Sequence, residues 1–161
     1  MKSSLYYVFV GIIFILSILV GLIGHPLPFG QRLLALQSTS MVPQLPPGSL
    51  ILIRPEPWYL PGDIVSLWER VNGKDELVTH RIMSVGGNVY VTKGDSNQLY
   101  DRGLTPQRLI EGRMIMSIPV LGAVVLFFQS KTGLALLMIP ITVILCLEFT
   151  RLYQVLREKH S

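Results

Sequence analysis

The chain has 161 residues, of which 50% are hydrophobic and 15% charged, with a formal net charge of +4. That length accommodates one modest domain with flanking segments. A single cysteine, Cys146, excludes an intrachain disulfide, and the middle lacks the basic stripe with interleaved aromatics of a nucleic-acid surface.

The first element is apolar. After Lys2, the run Leu5 to Ile23 carries no charge. As a helix it reaches about 28 Å, close to the roughly 30 Å hydrocarbon core of a bilayer. A cleavable signal would have a shorter core and a small-x-small site. Gly21-Leu22-Ile23-Gly24-His25-Pro26 offers none, so the run reads as an uncleaved anchor.

Several short runs rich in β-branched and aromatic residues follow, bounded by turn signals. They are Ser49–Ile53, Ile64–Val71, Glu76–Val85, Asn88–Thr92 and Leu109–Ile118. Asn72-Gly73 and Gly86-Gly87 favour tight antiparallel connections. Pro46-Pro47-Gly48 and Pro61-Gly62-Asp63 punctuate the earlier loops. This middle reads as a small antiparallel β-barrel-like domain, and the chain as mainly β.

A second apolar region closes the chain. Met114 to Phe128 contains Pro119 and Gly122, then Lys131-Thr132-Gly133 leads into Leu134–Leu147. The predicted layout is a cytoplasmic N-terminus over 1–4, a transmembrane anchor over 5–23 and a β-rich domain over 24–118. An interfacial segment over 119–130, a transmembrane helix over 131–150 with Pro140 as a kink point, and a cytoplasmic tail over 151–161 complete it. Leu33, Leu34, Pro119, Val120, Leu121, Phe127 and Phe128 are candidates to dip into the interface. Lys2, Arg151, Arg157 and Lys159 would lie on the cytoplasmic side. The expectation is therefore a multi-pass plasma-membrane protein with its middle domain outside. An ER protein with a lumenal domain is the alternative.

Three features carry chemistry. They are Ser38-Thr39-Ser40-Met41-Val42-Pro43, Val78-Thr79-His80-Arg81-Ile82, and Thr92-Lys93-Gly94-Asp95-Ser96-Asn97 with Asp101-Arg102-Gly103 after it. Singly, each has a plain structural explanation: a polar linker, a strand histidine and an Asp/Asn turn. Together they supply a nucleophile, a base and an orienting carboxylate. A serine hydroxyl needs a neighbour to take its proton. Neutral imidazole does this near neutrality, its unperturbed pKa being about 6.5. A carboxylate on the far ring nitrogen fixes the tautomer and stabilises the imidazolium. Lys93 is a rival base, but its ordinary pKa of about 10.4 requires deep burial for that role. An ion pair with Asp95 or a solvated side chain is its expected place. His25 and His160 read as interfacial and tail residues. No set of His, Cys or acidic residues has metal-ligand spacing, and no cofactor is expected.

Ser-x-Ser-Met-x-Pro, Thr-His-Arg and Lys-Gly-Asp-x-Asn with a later Asp-Arg-Gly resemble the sequence boxes of signal peptidase I. Histidine at position 80, where the bacterial type has lysine, resembles the ER and archaeal type. The likeness runs from about Gln37 to Gly122. It implies a signal peptidase/LexA-like catalytic domain flanked by N- and C-terminal transmembrane helices. It implies Ser40 as nucleophile on a turn shaped by Met41 and Pro43, and His80 as general base. It further implies Asp101 as the triad acid and Asp95 as a second required acid. Asp101 is the favoured partner of His80 and Asp95 the alternative. Ser38 would join the Ser40 backbone N–H in the oxyanion hole. Thr39 departs from the family's usual glycine, which weakens the assignment of Ser38. The implied activity is cleavage of signal peptides from exported preproteins after small residues, through an acyl-enzyme, at a lipid bilayer and with or without accessory subunits. Two rivals stand beside it: a non-catalytic membrane-tethered binding module of the same fold, and a regulatory serine protease with a dedicated membrane substrate.

Overall fold

The computed structural model of the chain describes residues 2–71 and 73–159. They form two compact units, one drawn from residues up to Val20 and from Val125 onward, the other spanning Gly21–Val124. Asn72 and His160, both named in the sequence reading, lie outside the described residues.

The Gly21–Val124 unit is built on strands. In chain order they are β1 (Arg32–Ala35), β2 (Leu50–Arg54), β3 (Ile64–Val71), β4 (Lys74–Gly86), β5 (Val89–Lys93), β6 (Thr105–Pro106) and β7 (Ile110–Ile118). They pair antiparallel in the order β1-β2-β7-β3-β4-β5-β6. The sequence signals for β2, β3, β4, β5 and β7 thus mark real strands. β3 and β4 pair in continuous register from Ile64↔Arg81 to Val71↔Lys74, with Gly73 taking the positive φ of 80° that the reversal needs.

Two apolar clusters hold the sheet. Tyr59, Val65, Leu67, Ile82, Tyr90 and Ile110 form one. Met41, Leu45, Ile51, Ile53 and Ile64 form the other. Ile64 and Val65 are neighbours on β3 yet feed different clusters, as the two-residue side-chain period requires. Arg81 lies opposite Ile64 and His80 opposite Val65, so the two motif residues take opposite faces of the sheet.

Three expectations are corrected. The sheet is open rather than barrel-like. Its edge strands do not pair, because β6 is two residues long and Pro106 has no N–H to extend a ladder. The chain is also mixed rather than mainly β, with 39% helix and 32% strand. Its apolar ends coil into α1 (Lys2–Leu22), α2 (Leu121–Gln129) and α3 (Lys131–Lys159). Finally, the paired transmembrane anchors and the multi-pass localisation built on them do not stand. Among the described residues one helical stretch, Lys131–Arg157, is long and apolar enough to cross a membrane. The apolar part of α1, Tyr6–Leu22, falls short. Beyond the end of α1, Ile23 bridges Leu33.

The same bridging explains a missed strand. Leu33 and Leu34 pair with Leu52 and Ile51 in β1 rather than standing free, and Leu34 packs on the Met41 cluster. α3 runs through Pro140 without a break and ends beyond the predicted 131–150 boundary.

Gly112 on β7 marks where two strands approach closely. A Cβ there would meet the Arg54 carbonyl carbon and oxygen at 2.7 Å and the Pro55 nitrogen at 3.0 Å, all of it backbone. We expect Gly112→Ala to lower the free energy of unfolding in urea by about 2 kcal/mol. An unchanged midpoint would mean that β2 and β7 yield where the packing says they cannot.

Candidate active site

The loop that leaves β5, from Gly94 to Asp101, gathers the motif residues. It begins with a close contact. A Cβ on Gly94 would stand 2.8 Å from the Ser40 carbonyl oxygen and 2.8 Å from Asn97 Nδ2. Glycine is therefore required here for space, whereas the sequence alone suggested only a turn.

Ser40 is bound to this loop through its main chain. The Ser96 amide donates to the Ser40 carbonyl at 2.9 Å, and Ser96 Oγ donates to the Thr39 carbonyl at 3.0 Å. On its other side Met41 is buried in the apolar cluster with Ile53 and Ile64. Turns close from Val42 N to the Thr39 carbonyl and from Leu45 N to the Met41 carbonyl, and the Val42–Pro43 peptide is cis. Ser40 is half-buried. Its Oγ accepts a hydrogen bond from Ser38 Oγ at 3.1 Å, while its own N–H donates to Ser38 Oγ at 3.1 Å. Ser38 and the Ser40 N–H, the implied oxyanion donors, are thus engaged with the Ser40 residue itself and with Ser38.

The far end of the loop meets His80. Asp101 Oδ2 lies 2.5 Å from His80 Nδ1. Their side chains are only 8% and 10% exposed, so little water competes for the contact. A carboxylate there selects the tautomer with the proton on Nδ1 and leaves Nε2 as the acceptor. Of the two acids that the sequence left open, Asp101 is the one that touches His80.

Asp95 does something else. Its two oxygens take Arg81 Nε at 2.8 Å and Arg81 Nη2 at 2.7 Å, a bidentate ion pair. These bonds raise the Arg81 pKa against its partial burial. Arg81 Nη1 also donates to the Gly62 carbonyl at 2.9 Å. Lys93 therefore does not pair with Asp95. Its ammonium lies 6.0 Å from the centre of the Tyr100 ring, at the outer range of a cation–π contact.

Among the described residues no hydrogen bond joins Ser40 to His80. What joins them is the shared loop: Ser96 holds Ser40, and Asp101 holds His80. Catalytic hydrogen bonds are often long before substrate binds and tighten afterwards. No grouping of His, Cys, Asp and Glu fit for a metal ion occurs among the described residues.

Glu69 on β3 was not picked out by the sequence. Burial raises its pKa, the Asp101 charge adds to the rise, and His80 partly offsets it. It borders a cleft of about 500 Å³ whose other wall is the loop from Asn97 to Arg102. Only the β3–β4 register, unreadable from composition, brings this acid near the pair. No protein-family model matches the chain, and no curated protein matches it.

Burial pushes the Asp101 carboxyl up, but the His80 hydrogen bond, the His80 charge and the Thr92 side chain together outweigh it and leave its pKa lowered. The folded-state value thus lies below the unfolded one. Ionised Asp101 stabilises the fold above the ordinary aspartate value of about 3.9, and that contribution is lost as pH falls through the lowered value. Urea unfolding of the wild type and Asp101→Asn should differ most above about pH 5 and converge in acid. A gap independent of pH would contradict the lowered value.

Proposed function

We propose that this chain is a serine endopeptidase of the signal peptidase I kind, in its Ser-His-Asp form, that removes signal peptides from exported preproteins. One observation carries the reading: a nearly dry His80–Asp101 pair is held by the loop that also holds Ser40. A purely structural histidine has no need of a carboxylate on Nδ1 and a tethered serine beside the same loop.

In the proposed reaction Ser40 Oγ attacks the scissile carbonyl carbon and its proton passes to His80 Nε2. Asp101 stabilises the imidazolium. The C–N bond then breaks, the amine of the mature protein takes the proton from His80, and the signal peptide remains as an ester on Ser40. Water, deprotonated by His80, releases it. Ser38 and the Ser40 N–H receive the developing oxyanion once their mutual bonding opens.

Signal peptides present small side chains after an apolar run, and the extended chain can pair along a free sheet edge. The helical stretch Lys131–Arg157, long and apolar enough to cross a membrane, supports attachment to a lipid bilayer, where such substrates reside. A second reading, a non-catalytic binding module, is favoured by the closed Ser38–Ser40 contact.

Cleavage of a preprotein in detergent separates the two. We expect the wild type to cleave, and Ser40→Ala and His80→Ala each to lower kcat by at least about a thousandfold. Lys93→Ala should retain full activity, since Lys93 faces Tyr100. Wild-type rates from Ser40→Ala would refute the nucleophile. An inactive Lys93→Ala beside an active His80→Ala would move the base to the lysine.

A further inference from the structure

Thr92 occupies the place in β5 directly opposite Ile82, two residues beyond His80 on the neighbouring strand. Cross-strand partners share a face of the sheet, so Thr92 stands on the face that carries His80. It is 1% exposed, and its Oγ1 is buried with no hydrogen-bond partner among the described residues. Buried hydroxyls are nearly always bonded, and an exception calls for a reason. Its main-chain carbonyl accepts the Asp101 amide at 2.9 Å, which docks the acid against this strand. Asp101 gives Oδ2 to His80, and no described group donates to its other oxygen at hydrogen-bonding distance. The Thr92 side chain lies near enough to favour the ionised Asp101 carboxylate, acting in the same direction as His80.

We propose that the Thr92 hydroxyl is the second donor to the Asp101 carboxylate, closing onto its free oxygen during the reaction. Thr92 is then a positioning residue: it touches neither substrate nor Ser40, and it holds the plane of Asp101 toward His80 Nδ1. A carboxylate gripped at one oxygen can swing about its own axis, whereas one gripped at both is fixed. The main chains of Thr92 and Asp101 are already joined at 2.9 Å, so the two side chains are held as neighbours. Valine has nearly the same shape without the donor, and serine has the donor without the methyl, so the pair separates hydrogen bonding from packing.

This inference rests on the proposed triad, so its test has two readouts. The first is kcat and KM for preprotein cleavage. The second is the solvent-exchange rate of the His80 Nδ1 proton, read by NMR, which needs no turnover. We expect Thr92→Val to lower kcat about tenfold with KM nearly unchanged, and to speed Nδ1 proton exchange by about tenfold. Thr92→Ser should stay within about twofold of wild type on both. Wild-type exchange and kcat in Thr92→Val would overturn the proposal. So would a Thr92→Ser as impaired as Thr92→Val, which would assign the residue to packing alone. If valine is not accommodated, Thr92→Ala against Thr92→Ser gives the same contrast. Should the wild type fail to cleave any preprotein, the peptidase reading falls, while proton exchange still decides whether Thr92 secures Asp101.

Discussion

Arg81 holds Asp95 by two parallel hydrogen bonds, and the placement of the site follows from that grip. Bidentate, charge-assisted pairs are geometrically demanding as well as strong. This one pins the start of the loop after β5 to the middle of β4. With its start fixed, the loop presents Ser96 to the Ser40 main chain and delivers Asp101 to His80. The neighbouring motif residues therefore have complementary duties. Arg81 fixes the loop from one face of the sheet, and His80 receives the loop's far end on the other. An arginine beside the histidine is a mechanical requirement of this layout, and a lysine, with no planar fork, would not reproduce it.

Glycine at position 94 belongs to the same device. The loop approaches the Ser40 main chain within the space that a methyl group would fill. Lysine, glycine and aspartate in succession thus have three separate reasons. Lys93 turns toward Tyr100, Gly94 makes room for Ser40, and Asp95 receives Arg81.

Much of the strand content was legible because β-branched residues and turn glycines mark it. Ile64–Val71 could be read from its residues alone, and both ends coincide with β3. Arg32–Ala35 could not. Its leucines carry no β-branched signal, and it becomes a strand only because β2 offers an edge to pair with. The two-residue β6 is likewise made by its partner. Barrel closure was misread because strand signals say how many strands exist but not whether the first and last meet. The first apolar run was read through to Ile23, which instead lies outside the helix and bridges Leu33. Within the site, the motifs favoured Asp101 over Asp95 as the partner of His80, as found, but did not reveal the ion pair of Asp95 with Arg81. Glu69 was not singled out, and Thr92 was named only as the end of a strand run and the start of a motif, because only cross-strand register brings them to the pair.

Ser40 is followed directly by Met41, whose side chain is sunk among Ile53 and Ile64. The proposed nucleophile is thus moored to an apolar cluster by a long, unbranched and adaptable side chain. Its aim inherits the softness of that mooring. Warmth that loosens the cluster would misdirect the hydroxyl while the strands are still zipped together, so reactivity would fade ahead of melting. Cosolvents that tighten apolar packing would steady it. The reach of the serine is in this sense a thermometer of the interior beneath it.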